Sequence, residues 1–312
     1  MLSVLHGSQT QLYPIEPSEK GLGSPALAPT RSWLGGNDKG MSRATTHEVC
    51  IDRSRRLVAK RYRSWDRGEP SCEWAALTLL AERAPGLAPL PIRTELDADP
   101  PVILMSWVPG APLGDAPLSS AQAQALAAVL GRLWRCVNPA RNPFPWNDRN
   151  AARLISQVRA RLVTGPEMGD DSLVRAAGEA AAAWLASDAP DRLAFADDDV
   201  VLGQGDCNLA NFLWDGTQVR LVDFEDSGLS DRAFELAILV EHISAWSEIS
   251  LEAEPFVALF DLTASERLRL REFRRLAAFF WLLLLLPGGP AFCRNPPGTL
   301  GRQAHRLLTL LG

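Results

Sequence analysis

Up to Pro109 the apolar residues of this chain fall mostly into short runs bounded by polar turns, and beyond it they recur mostly at helical spacing. Glu48-Val49-Cys50-Ile51 and Arg56-Leu57-Val58-Ala59-Lys60 flank the polar turn Asp52-Arg53-Ser54, which predicts a hairpin. Trp74, Leu77, Leu80 and Ala81 mark a helix over 72–83, which Pro85, Pro89 and Pro91 end. Val102-Ile103-Leu104-Met105 reads as a short strand, and Pro109-Gly110 turns the chain out of it. Ser119 or Ser120 can cap a helix carrying Leu126, Val129, Leu130, Leu133, Trp134 and Val137 on one face. Further helices are expected over 151–162 and 173–185. Short strands follow at 200–202, 212–214 and 219–222, the last two joined by the Asp215-Gly216 turn. A helix is expected over 232–244. Thr263-Ala264-Ser265-Glu266 is a capping box that opens a long apolar helix, and Pro287-Gly288-Gly289-Pro290 stops it.

These elements predict an α+β chain of two lobes. Residues 1–30, with Pro14, Pro17, Pro25 and Pro29, read as a weakly ordered arm. A small β-rich lobe is expected over 31–108 and a larger, mostly helical lobe over 109–312. The run 276–286 ends in five leucines, but it is shorter than the ~18 apolar residues of a membrane span, so a buried core helix is expected.

Composition narrows the function classes. A formal net charge of −5 argues against general affinity for nucleic acid. The five cysteines are scattered with no Cys-x-x-Cys pair, so neither a disulfide scaffold nor a zinc site is suggested. With no basic, apolar leader at the N-terminus, the expectation is a soluble protein of the reducing cytoplasm.

The candidate chemistry lies in Gln204-Gly205-Asp206-Cys207-Asn208-Leu209-Ala210-Asn211 and in Leu221-Val222-Asp223-Phe224-Glu225. An Asp, an Asn a little over one helical turn later and a second Asp beyond a hairpin form a phosphotransfer constellation. A hydroxyl acceptor needs a carboxylate to orient it and take its proton, and Asn and Asp offer the hard oxygens that suit Mg²⁺. The bland alternative is a surface turn plus an exposed hairpin.

This pattern resembles the aminoglycoside phosphotransferase and choline kinase-like family, which shares the protein-kinase fold. The family motif runs His-Gly-Asp-x-x-x-x-Asn, then an Asp-centred strand, then Asp-x-x-x-Asp-Leu-Ala. Here the matching residues are Gln204-Gly205-Asp206 to Asn211, then Asp223, then Asp231-Arg232-Ala233-Phe234-Glu235-Leu236-Ala237. Gln204 replaces the usual His, and Glu235 the usual Asp. The resemblance implies a protein-kinase-like two-lobe fold in which the small lobe binds ATP or GTP with Mg²⁺ and the helical lobe binds a small-molecule acceptor. It implies Asp206 as the catalytic carboxylate and Asn211 and Asp223 as Mg²⁺ ligands. Lys60 would bind the phosphates, held by Glu73 with Glu69 as the fallback partner. Ser106 and Val108, in the interlobe linker, would bind the base, and residues 34–42 would cover the nucleotide. Gln204 and Glu235 would support the catalytic loop.

Acidic residues crowd the segment from Asp197 to Glu254, where Arg220 and Arg232 are the only basic residues. That field suggests a cationic acceptor, with Glu225 and Glu241 as substrate-facing acids. His242, on a helix with Ile238 and Ile243, reads as packed rather than catalytic, with the substrate cleft as its alternative place. A non-catalytic nucleotide-binding module acting through a protein partner is the competing reading, suggested by Gln204 and the poor glycine loop. A protein kinase proper is disfavoured by Asp223-Phe224-Glu225 and by the lack of a later Ala-Pro-Glu.

Overall fold

The computed structural model describes residues 12–14, 47–113, 116–137, 151–193, 200–247 and 251–312. The stretch 34–42 and the N-terminal arm, apart from Leu12–Pro14, lie outside the described residues.

In the smaller lobe, β1 (Leu12–Pro14), β2 (His47–Asp52) and β3 (Leu57–Tyr62) precede α1 (Glu69–Arg83), β4 (Pro91–Glu95) and β5 (Val102–Ser106). The sheet order is β1-β2-β3-β5-β4, with β1 parallel to β2 and the remaining pairs antiparallel. The Asp52 carboxylate closes the β2–β3 turn by accepting from Ser54 Oγ at 2.6 Å and Arg55 N at 2.9 Å. Strand alternation sends Lys60 and Tyr62 to the same face of β3, and both are buried.

Two differences from expectation have simple causes. Helix α1 starts at Glu69 rather than 72, because Pro70 sits in the first turn, where a missing N–H costs nothing. Strand β4 was not anticipated, since Pro91 reads as a breaker. It lies on the sheet edge, where proline interrupts no ladder.

The larger lobe runs β6 (Ala111–Pro112), α2 (Ser120–Trp134), α3 (Ala151–Val163), α4 (Ser172–Leu185), β7 (Val200–Gly203), β8 (Phe212–Trp214), β9 (Val219–Leu221) and β10 (Gly228–Asp231). Then follow α5 (Arg232–Glu241), α6 (Ile243–Trp246), α7 (Ala253–Val257), α8 (Ala264–Leu285) and α9 (Thr299–Leu311). Strands β6, β8 and β9 form one small sheet, and β7 pairs antiparallel with β10. The helix expected over 232–244 is broken at His242, whose extended backbone ends α5 and opens α6.

The capping boxes at Ser119 and Thr263 form as the sequence suggests, with Gln122 and Glu266 reciprocating. The apolar half of α8 is buried and packs with α5 and α9 as the centre of the lobe. Among the described residues, no helix is long and apolar enough to cross a membrane. One apolar core runs through both lobes, from Leu77 and Ile103 to Leu126 and Leu284. Leu221 N donates to Leu87 O at 3.0 Å and Arg132 Nη2 to Pro85 O at 3.1 Å, so backbone groups also tie the lobes.

Gly110 stands at the passage between lobes with φ +140, and an added Cβ there would meet Leu213 Cβ and Trp214 O, each at 3.0 Å. Gly110→Ala should therefore cost about 1–3 kcal/mol through strain and overpacking. Urea unfolding midpoints check this, and an unchanged midpoint would contradict it.

Candidate active site

The turn after β7 presents the candidate catalytic-loop residues. Gly203 lets the chain pass close to α5: a Cβ there would fall 2.3 Å from Glu235 Oε1. Glu235 uses that proximity, accepting from Gln204 N at 3.2 Å and from Ser230 Oγ at 2.7 Å. The longer side chain of Glu thus fills the clamping position. The Gln204 amide donates to Asp223 O at 2.8 Å and Val222 O at 3.2 Å, joining the loop to the segment after β9. Asp206 Oδ1 accepts from Asn208 N at 3.2 Å, and Asn208 Oδ1 accepts from Ala210 N at 3.1 Å, so the loop is shaped by its own side chains. Asn211 Nδ2 donates to Asp206 O at 3.2 Å, and Val222 N donates to Asn211 O at 3.0 Å. Asp206, Asn211 and Asp223 are thereby brought together, all three buried. Asp223 is one of two non-glycine residues with positive φ among those described, at +65.

Lys60 reaches the same place from β3. Its Nζ lies 2.6 Å from Glu73 Oε2, 2.5 Å from Asp223 Oδ1 and 3.0 Å from Glu225 Oε2. Burial would lower its pKa, but Asp223, Glu225 and Glu73 outweigh burial and hold the ammonium well above the usual lysine value. Glu73 is therefore the partner, whereas Glu69 pairs with Arg67 at 2.8 Å. The Tyr62 hydroxyl donates to Glu73 Oε2, and burial together with Glu73 raises its pKa well above normal, so it stays a donor. Glu73 Oε1 accepts from Phe224 N at 3.3 Å.

The donor set fits a hard cation. Asp223 Oδ2 is buried with no hydrogen-bond partner, and Asn211 spends its Nδ2 on the loop, leaving its oxygen for a ligand. A second group, His47, Asp223 and Glu225, also brings ligand atoms within 4.8 Å of one another. The Lys60 ammonium already supplies the positive charge there.

Comparison with known proteins identifies the family. The model of the phosphotransferase enzyme family (APH) matches residues 43–274, well over half of the chain. The chain belongs to that family. A choline/ethanolamine kinase family protein from Mesorhizobium loti has a similar structure, with TM-score 0.60 at 16% identity and 92% of each chain covered. Spectinomycin phosphotransferase, solved with ADP and spectinomycin, gives 0.57 at 12% identity, covering 88% of this chain and 87% of that one. An aminoglycoside phosphotransferase from Streptomyces rimosus, solved with ADP and streptomycin, gives 0.53 at 20%, covering 73% and 90%. At these identities the likeness shows the fold, the two-lobe protein-kinase-like architecture. No curated protein sequence matches the chain significantly.

The remaining candidate residues lie in the linker and in the larger lobe. Ser106 ends β5 with its N–H on Leu90 O at 2.9 Å and its hydroxyl accepting from Leu90 N at 2.8 Å, and Val108 is buried just beyond it. Glu225 is buried against Lys60 and, at 3.1 Å, His47 Nδ1. Glu241 is fully buried, with Arg274 and Arg306 each 2.8 Å from a carboxylate oxygen, so its charge is spent inside the lobe. The wider acidic field shrinks in the same way. Asp215 pairs with Arg220, Asp226 with Arg67 and Asp231 with Arg269. Most of these arginines lie outside the 197–254 segment, which is why counting charges along it overstated the field. Asp197 and Glu248 lie outside the described residues.

His47 and Tyr62 are the site residues that sequence reasoning missed. Period-two alternation in β3 was the available signal for Tyr62. His242 is buried, as its apolar neighbours suggest, yet its Nε2 lies 4.0 Å from Asp206 Oδ1.

The Lys60 network sets a pH-dependent expectation. Burial is the largest influence on Glu225 and would raise its pKa, but Lys60 and His47 hold it below the ordinary carboxylate value. Its stabilising contribution is therefore present above that range and lost as pH falls. Lys60→Met leaves buried carboxylates without their counter-charge, a deficit of about 3–5 kcal/mol at neutral pH. The deficit should shrink as pH drops to about 4, where carboxylates protonate. Urea unfolding at both pH values measures it, and a deficit that did not change with pH would count against an ionised network.

Proposed function

We propose that this chain is a kinase that transfers the γ-phosphate of ATP or GTP, bound with Mg²⁺, to a hydroxyl group of a small molecule. The observation that carries this reading is the convergence of Asp206, Asn211, Asp223 and the Lys60–Glu73 pair on one buried locus. Asp206 orients the acceptor hydroxyl and takes its proton. Lys60, held by Glu73, offers its ammonium to the donor phosphates, and the linker around Ser106 and Val108 borders the base. Asn211 and Asp223 would hold Mg²⁺, which neutralises phosphate charge when bound. In-line transfer needs positioning and charge stabilisation more than covalent chemistry, and these are what the buried, mutually fixed side chains provide. Nucleotide use is further supported by the neighbours solved with ADP.

A cationic acceptor remains the proposal, resting now on the acceptors named for the neighbouring structures rather than on a long-range acidic field. The non-catalytic alternative drew on Gln204, whose amide makes two loop-bracing hydrogen bonds here.

ADP release should be measured with choline, ethanolamine, spectinomycin, streptomycin and hygromycin B as acceptors. Asp206→Asn should lower turnover by about 10²–10⁴-fold with little change in nucleotide affinity. Nucleotide binding with no transfer to any acceptor would favour the non-catalytic module instead. Chelation by EDTA should abolish turnover and excess Mg²⁺ should restore it. Turnover that survives chelation would remove the metal from the proposal.

A further inference from the structure

His242 separates α5 from α6, and its ring stands beside the catalytic loop. Ser244 N–H can only donate, so its 3.1 Å contact makes His242 Nδ1 an acceptor. The Ser244 hydroxyl accepts from Leu209 N at 3.0 Å and lies 2.7 Å from the same Nδ1, to which it gives its proton. Burial keeps the imidazole neutral, its pKa pushed down to about 3. A neutral ring with Nδ1 as acceptor carries its proton on Nε2. Trp281 meets the ring edge-on, with centroids 5.0 Å apart and planes at 88°, which fixes its rotation. Nε2–H makes no hydrogen bond among the described residues, and Nε2 itself lies 4.0 Å from Asp206 Oδ1.

That separation is too long for a direct hydrogen bond and suits one oxygen in between. An oxygen about 2.8 Å from each atom closes the triangle with an angle of roughly 90°. We propose that His242 is an acceptor-positioning residue, its Nε2–H and the Asp206 carboxylate bracketing the hydroxyl that receives the phosphate. The hydroxyl oxygen accepts from Nε2–H and donates to Asp206 Oδ1, leaving a lone pair for phosphorus. In transfer, the hydroxyl proton passes to Asp206 and the oxygen–phosphorus bond forms. The bond from γ-phosphorus to the bridging oxygen breaks, its electron pair leaving with ADP, and His242 keeps its proton throughout. This inference rests on the phosphotransfer reading above and adds a specific donor to it.

The ring also caps α6, so the test must separate capping from donation. Asn at this position keeps a cap oxygen for Ser244 N but has no donor at the Nε2 place. Gln reaches the Nε2 place with an N–H but caps poorly. With Mg²⁺ and ATP, and water standing in as acceptor, ADP release by His242→Asn should fall about tenfold or more. Its melting temperature should match wild type and its ATP affinity should stay within about twofold, as expected for a defect in acceptor placement alone. His242→Gln should melt lower yet recover most of the rate. A wild-type rate in His242→Asn, or a His242→Gln no faster than His242→Asn, would overturn the inference while leaving phosphotransfer intact. A wild-type chain that releases no ADP, either to water or to the acceptors named above, would overturn both.

Discussion

The ammonium of Lys60 is the charge on which the active centre depends. It is buried and gathers three carboxylates from two places in the chain: Glu73 on α1, and Asp223 and Glu225 beyond β9. Without it, these would be buried like charges, an arrangement that costs several kcal/mol per uncompensated ion. One ammonium against three carboxylates still leaves negative charge in excess. Tyr62, Phe224 N–H and His47 supply the remaining donors. The small lobe and the Asp223 segment are consequently locked to each other by electrostatics as much as by the shared apolar core.

The larger lobe manages its charge by a different device. Arg269 and Arg274 on α8 and Arg306 on α9 reach across to Asp231 and Glu241, neutralising acids where they are buried. An acceptor therefore meets little long-range field from those helices. In the proposed reaction, discrimination rests with the few atoms at the loop itself, where low local dielectric makes each hydrogen bond count. Placement governs this site more than attraction does.

The parts of the site that were legible in the sequence are those whose geometry is local. Asp206 and Asn211 share one loop, and Asp223 follows across a hairpin marked by Asp215-Gly216, so spacing alone juxtaposes them. Lys60 was readable from its place in a strand. Contacts closed only by tertiary folding were not: His47 meets Glu225 across 178 positions, and Glu241 meets Arg306 across 65. The break at His242 was invisible for another reason. Apolar periodicity continues through it, and the extended backbone at His242, with its side chain capping Ser244 N, reveals two helices in place of one. Pro91 misled in the opposite direction, since an edge strand tolerates a residue that an interior strand would not.

Gln204 shows why a departure from the family motif need not disable the loop. Asp223 adopts a left-handed backbone, a conformation costing a non-glycine residue of order 1–3 kcal/mol. That cost is offset by bonds on every side of the residue: Val222 N to Asn211 O, Phe224 N to Glu73 Oε1, and Gln204 Nε2 to the carbonyls of Val222 and Asp223. What this position must deliver is a neutral donor aimed at those carbonyls, and an amide N–H does so without needing to ionise. Its oxygen, Oε1, is left buried and unbonded, which is the penalty the amide brings. The requirement at residue 204 is thus one of direction, and Gln meets it by holding Asp223 in the strained turn from which its carboxylate faces Lys60.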